Sequence, residues 1–189
     1  MMKKYRIPLL VLVVVLQTAA LVGMVAVKQR TLATGTPVLL KTEPVDPRSL
    51  FRGDYVILNY AISSLDYAEV EGDDGFERHD AVYVMLRRGE EFWEPASIHR
   101  EMPAHGPESV VIRGRVQYSG IWTGSETRDG INVDYGIESY FVPEGEGREI
   151  ELPRNEGKVS IQVAVDGSGD AAIKAVLIDG EVRYEEKLF

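Results

Sequence analysis

The 189 residues include 21 basic and 30 acidic side chains, for a formal charge of −9, and no cysteine. That balance sets the exposed part of the chain against nucleic acid and anionic lipid surfaces, and the missing thiols exclude disulfide staples and a cysteine-linked lipid anchor. The length suffices for one domain with a real core, or two small ones.

Ile7 to Val27 is a run of 21 residues without a charge, in which Gln17 and Thr18 are the only clearly polar members. As a helix it extends about 31 Å, the thickness of bilayer hydrocarbon, and it lacks the polar stripe of a soluble amphipathic helix. Residues 7–27 are therefore predicted to be a transmembrane anchor. The run is longer than a signal-peptide core of about 7–15 residues, so it is read as retained, although Thr18-Ala19-Ala20 imitates a cleavage site. Lys3, Lys4 and Arg6 assign the tail 1–6 to the cytoplasm and the remainder to the outside, with Lys28, Arg30 and Lys41 as a weaker opposing vote. Beyond the tail, 18 basic residues stand against 30 acidic ones, a charge of −12.

Residues 28–36 are polar and small and are expected to form a linker, followed by a mainly β domain over 37–189. Strands are predicted at Pro37–Thr42, Tyr55–Ser63, Ala81–Arg87, Phe92–His99, Ser109–Tyr118, Ile131–Tyr135 and Ser139–Val142, with a hairpin at Arg88-Gly89-Glu90-Glu91. Tyr55–Ser63 is apolar on both alternating sets, which predicts a strand buried on both faces. Glu69–Gly75 and Ser119–Gly130 read as loops. Pro143–Leu152 is ambiguous: Pro at a first helical position with acids behind it suggests a short helix, and two glycines oppose it. The C-terminal part is a meander, Val159–Val165, Ala171–Ile178 and Glu181–Tyr184, punctuated by Asp166–Asp170 and Asp179-Gly180. The fold class is mainly β: an N-terminal transmembrane helix, then an antiparallel external domain with room for one short helix.

Candidate chemistry is sparse. Gly53-Asp54 before an apolar strand also occurs in bacterial signal peptidases, but Val45 stands where their serine would be, and Ser49 lacks the flanking pattern. None of Lys41, Lys158, Lys174 and Lys187 sits in a matching lysine motif. His79, His99 and His105 form no metal-ligand pair, and Asp166-x-Ser168-x-Asp170 is explained by a turn better than by calcium. Gly145 and Gly147 lie among glutamates and cannot cradle phosphate. Trp93 and the aromatics around Trp122 leave a sugar- or peptide-binding platform open, though core positions explain most of them. No catalytic residue, cofactor or metal ligand is assigned.

Gly53-Asp54-Tyr55-x-x-Leu58-x-Tyr60 matches the signature of the GDYxxLxY-domain family of bacterial membrane-anchored proteins at every fixed position. The preceding stretch Thr42–Arg52, with Pro44-Val45-Asp46-Pro47-Arg48, and the downstream Asp134-Tyr135-Gly136-Ile137-Glu138-Ser139-Tyr140-Phe141-Val142-Pro143-Glu144-Gly145 also resemble that family. The resemblance spans most of residues 37–180. It implies a membrane-anchored protein of unassigned function, often encoded beside polytopic membrane proteins, and it carries no catalytic residue; with the charge bias, the expected place is the bacterial inner membrane, single-pass, with the domain outside. The motif positions Arg52, Gly53, Asp54, Tyr55, Leu58, Tyr60, Tyr135, Gly136, Glu138, Glu144 and Gly145 are accordingly candidates for a structural or interaction role. Arg48, Arg52 and Asp54 could form a charged corner with Asp46, and Glu138 or Glu144 an acidic partner for the arginines. The expected function is an accessory or interaction module that touches the bilayer through 7–27 and docks onto an integral membrane partner or an envelope component. An envelope hydrolase and a sugar- or peptide-binding module are the alternatives.

Overall fold

The computed structural model describes residues 6–44, 55–123, 126–142, 150, 153–154 and 156–186. Helix α1 (Arg6–Thr34) is 29 residues long, about 44 Å. Leu9, Leu16, Leu21 and Met24 are all exposed, so its apolar surface has no protein to cover it. It is long and apolar enough to cross a membrane.

Residues 28–36, expected as a linker, are helical as far as Thr34 and turn at Gly35 directly into β1 (Thr36–Glu43). No Gly or Pro interrupts residues 28–34, and the Thr31 and Thr34 hydroxyls donate back to the carbonyls of Val27 and Arg30 at 3.3 and 2.9 Å. The helix end is also fastened to the β domain. Lys28 Nζ donates to the Ala171 carbonyl at 2.7 Å, and Thr31 Oγ1 donates to Asp166 Oδ2 at 2.7 Å. Thr31, 2 % exposed, is among the few buried polar residues.

The strands that follow are β2 (Tyr55–Ile57), β3 (Asn59–Tyr60), β4 (Ser64–Asp66), β5 (Glu71–Gly72), β6 (Ala81–Arg88), β7 (Trp93–His99), β8 (Ser109–Thr123), β9 (Glu126–Asp134), β10 (Ser139–Phe141), β11 (Val159–Val165), β12 (Ala171–Ile178) and β13 (Glu181–Glu185). A five-stranded sheet has the order β13-β12-β11-β1-β3, and a six-stranded sheet the order β4-β9-β8-β6-β7-β5; β2 and β10 form a separate pair. Among the described strands all pairings are antiparallel except β5 with β7. The protein is thus mainly β, as its sequence predicts.

Period-two alternation explains which side chains meet. Val38, Leu40 and Thr42 of β1 and Val82, Val84 and Leu86 of β6 are buried while most of their neighbours are not. All of these except Thr42 join Ile112, Val116, Ile131, Val133, Ile161 and Val176 in one hydrophobic cluster shared by both large sheets. The meander at the C-terminal end matches its predicted strands nearly residue for residue.

Three expectations change. Tyr55–Ser63 is not one strand buried on both faces. It breaks at Leu58 into β2, which joins β10, and β3, which joins β1; Val56, Leu58, Tyr60 and Ile62 are buried, Ile57 and Asn59 half-buried, and Ala61 exposed. Ser119–Gly130, expected as a loop, is largely a continuation of β8 and β9, whose pairing runs out to Thr123↔Glu126. Within Glu69–Gly75, Glu71-Gly72 is captured as a short parallel strand. The proposed helix at Pro143–Leu152 lies mostly outside the described residues, although Ile150, Pro153 and Arg154 are helical.

Candidate functional site at the junction of the two motif blocks

The two stretches singled out by sequence meet in space. Val56 pairs with Tyr140 and Ile57 with Ser139 across β2 and β10, and the Leu58 amide donates to the Glu138 carbonyl at 2.8 Å. Two tyrosine hydroxyls then tie the blocks crosswise: Tyr60 donates to the Ile137 carbonyl and Tyr135 to the Ile62 carbonyl, each at 2.6 Å. Both rings are buried, and burial, reinforced by the Glu138 carboxylate, pushes both phenols well above their ordinary pKa. They therefore remain protonated donors, and each satisfies a backbone carbonyl that lies outside the strands.

Glu138 is half-buried and accepts a hydrogen bond from the Tyr135 amide at 2.5 Å. Burial raises its carboxyl pKa, the backbone amides around it oppose that rise, and nearby Asp134 adds to it. Gly136 supplies the turn between them with φ +76°, a conformation that other L-residues seldom adopt. A Cβ there would meet nothing within 4 Å, so the demand on this glycine is backbone conformation and not space.

Leu58 is a core residue, 1 % exposed. Arg52, Gly53, Asp54, Glu144 and Gly145, with Asp46, Arg48 and Ser49, lie outside the described residues, as does the Tyr55 side chain. The guanidinium found at this junction belongs to Arg154, which sequence reasoning did not single out. It is 4 % exposed and donates to the Ile57 carbonyl at 2.5 Å. Only its position after Pro153 hinted at an ordered setting.

A groove of about 310 Å³ opens beside this junction, lined by Arg78, His79, Arg115, Gln117, Asp134 and Gly136. The turn Glu77–Asp80 supplies the first two. Its amide at Asp80 donates to the Glu77 carbonyl at 3.1 Å, and it is clamped to β8 by His79 N to Val116 O (2.8 Å) and Val116 N to Asp80 O (2.9 Å). His79 holds φ +76° at the third position of that turn, where glycine is the favoured residue. Arg115 stands opposite Asp134 across β8 and β9, yet the Asp134 carboxylate accepts its hydrogen bond from the Gln117 amide. Among the described residues Arg78 and Arg115 make no ion pair and no side-chain hydrogen bond.

The other sequence candidates are dispersed. His99 is half-buried against the Ser97 hydroxyl at 2.8 Å, and His105 is exposed. Among the described residues no three His, Asp or Glu side chains converge as a metal site. Asp166 spends its oxygens on Ser168, Asp170 and Thr31. Lys41 and Lys158 are exposed and Lys174 half-buried; Trp93 is half-buried against the core, and the Trp122 side chain lies outside the described residues.

An apolar N-terminal helix continuous with an antiparallel β domain, whose two signature blocks are bonded to each other, defines the class. More particularly, the chain belongs to the GDYXXLXY protein family, whose family model matches residues 17–176. No curated protein and no solved structure matches it.

Proposed function

We propose that this chain is a single-pass inner-membrane protein whose β domain sits outside the cytoplasm and acts as an accessory module docked onto an integral membrane partner. The observation that supports this reading is the fastened end of α1. Thr31 to Asp166 and Lys28 to Ala171 join helix and domain with no free linker between them. A domain held that way cannot range through the surrounding compartment as one on a flexible tether does; it presents a fixed face beside the bilayer. Phe141, inside the second signature block, is a large apolar side chain 73 % exposed to solvent, a type of residue common in protein contacts.

A photo-crosslinking amino acid at position 141, in the full-length protein in intact membranes, tests the reading. The expected result is one recurrent adduct with an integral membrane protein, absent when the same probe replaces Glu90 on the distant β6–β7 turn. Adducts at 141 only with lipid, or the same adducts at both positions, would overturn it.

A further inference from the structure

We infer that the groove between the Glu77–Asp80 turn and β8 is a binding site for a phosphate-type oxyanion, held by Arg78 and Arg115. The inference does not depend on a protein partner. The chain as a whole repels anions, since its acidic residues outnumber its basic ones by nine. Against that background two arginines converge on one concave surface and are left without an acidic partner among the described residues. Asp134, the cross-strand neighbour of Arg115, also lines the groove; its carboxylate accepts from Gln117 and forms no ion pair with Arg115, so two guanidinium groups against one carboxylate leave the groove net positive. Guanidinium donors come in planar forks that match tetrahedral oxyanions, and two forks suit the several oxygens of a phosphate better than the two of a carboxylate.

The surrounding backbone is arranged to keep the site open. His79 occupies a positive-φ position that glycine would fill more cheaply, which brings an imidazole to the groove wall at some cost in backbone energy. Gly136 lines the groove without adding a side chain. A volume of about 310 Å³ falls at the lower end of small-molecule sites and admits a headgroup-sized ligand.

The site also lies close to the fastened end of α1. Arg113 precedes Arg115 by two residues on the same outward face of β8, and its guanidinium pairs with Asp170 at 2.6 Å. Asp170 belongs to the same turn as Asp166, which holds Thr31. The groove is thus about 7 Å along a strand from the turn that clasps the helix. A phosphate could therefore come from a lipid headgroup or from a soluble phosphate ester, and the two sources are separable by experiment.

Full-length protein in a neutral detergent would be titrated with inorganic phosphate and with glycerol phosphate by calorimetry, at about 0.15 M salt, where exposed charges are screened beyond about 8 Å. In parallel, native mass spectrometry would compare retention of phosphatidylglycerol with that of phosphatidylcholine. Saturable binding in the first arm identifies a soluble ligand, and selective retention in the second a headgroup. In either case Arg115→Gln and Arg78→Gln should each weaken binding by at least about tenfold. Arg87→Gln, at the far end of β6, should leave it unchanged. Both groove arginines are exposed, so unchanged melting of their variants separates lost binding from lost folding. Absence of binding in both arms, or equal losses in all three variants, would overturn the inference.

Discussion

Glu138 carries a charge where the fold only half tolerates one. Burial is the largest influence on its carboxyl and raises the pKa; the amides of Tyr135, Glu138 and Gly136 pull it back without cancelling the rise. For an acid raised in the folded state, the contribution to stability is fully present below the unfolded pKa and is lost as pH rises through the folded value. Ionising this carboxyl in the native state therefore costs desolvation that the unfolded chain does not pay. Glu138→Gln keeps an oxygen to accept from the Tyr135 amide and removes the charge. The variant is expected to melt higher than the parent at pH 7, with the gap closing as pH falls below the ordinary glutamate range. Thermal melts across that window check it; a gap independent of pH, or a parent that is more stable at pH 7, would refute the assignment of burial as the cause. A carboxylate kept at such a position beside the proposed groove is better explained by its place in the turn than by global stability.

The joint between α1 and the β11–β12 turn concentrates what holds two elements in one orientation. Asp166 would be raised by burial alone, but hydrogen bonds from Ser168, Thr31 and Asp170 hold it below its ordinary range. Its sign is the reverse of that of Glu138: the stabilisation is complete above the unfolded pKa and is lost as pH falls through the folded one. Thr31→Val removes the hydroxyl at nearly constant shape and should cost about 1.5 kcal/mol, the worth of a hydrogen bond to a charged group. The chain has no cysteine, so spin labels at Ala33→Cys and Glu181→Cys report on helix and domain alone. Their distance distribution is expected to be narrow in the parent and broader with Thr31→Val; an unchanged width would mean that the hydrogen bond does not set the orientation. This joint could not be read from the sequence. Residues 28–36 look like a linker because they are short and polar, and the polarity of Lys28 and Thr31 turns out to serve a turn more than 130 residues away. Alternation, by contrast, marked Val38, Leu40, Val82 and Val84, because burial of one face is a local signal, and β11 and β12 were marked by apolar runs bounded by turn residues. The outer part of the β8–β9 hairpin pairs locally, and its glycines and polar residues made it read as a loop; the break at Leu58 was hidden for the same reason as the groove. A change of partner strand, or the approach of the Glu77–Asp80 turn to Arg115, depends on segments remote in the chain, and the pattern of one segment does not encode it.

At the scale of the whole molecule, the apolar length of α1 and the charge around it argue for the proposed topology. Lys3, Lys4 and Arg6 precede the span, and Lys28 and Arg30 follow it within the same helix. The structure adds a reason to discount the second group: Lys28 is committed to the Ala171 carbonyl of a folded domain, and that domain is strongly acidic. Three basic residues in the segment before the span are cheaper to keep inside than a folded β domain bearing −14, with 16 basic against 30 acidic residues beyond Gly35, is to hold against an anionic cytoplasmic leaflet, whose surface potential is about −30 mV. The proposed orientation therefore has the tail in the cytoplasm and the β domain outside. Exposed Glu181 on the edge strand β13 provides the readout. In spheroplasts of a Gram-negative host, Glu181→Cys should react with a membrane-impermeant maleimide without lysis, whereas a cysteine replacing Met2 should react only after it. Replacing Lys3, Lys4 and Arg6 together by Gln should then give a mixed population, because the remaining vote comes from Lys28 and Arg30. Labelling of Glu181→Cys only after lysis would reverse the topology and, with it, the compartment in which a partner for the groove and for Phe141 is to be sought.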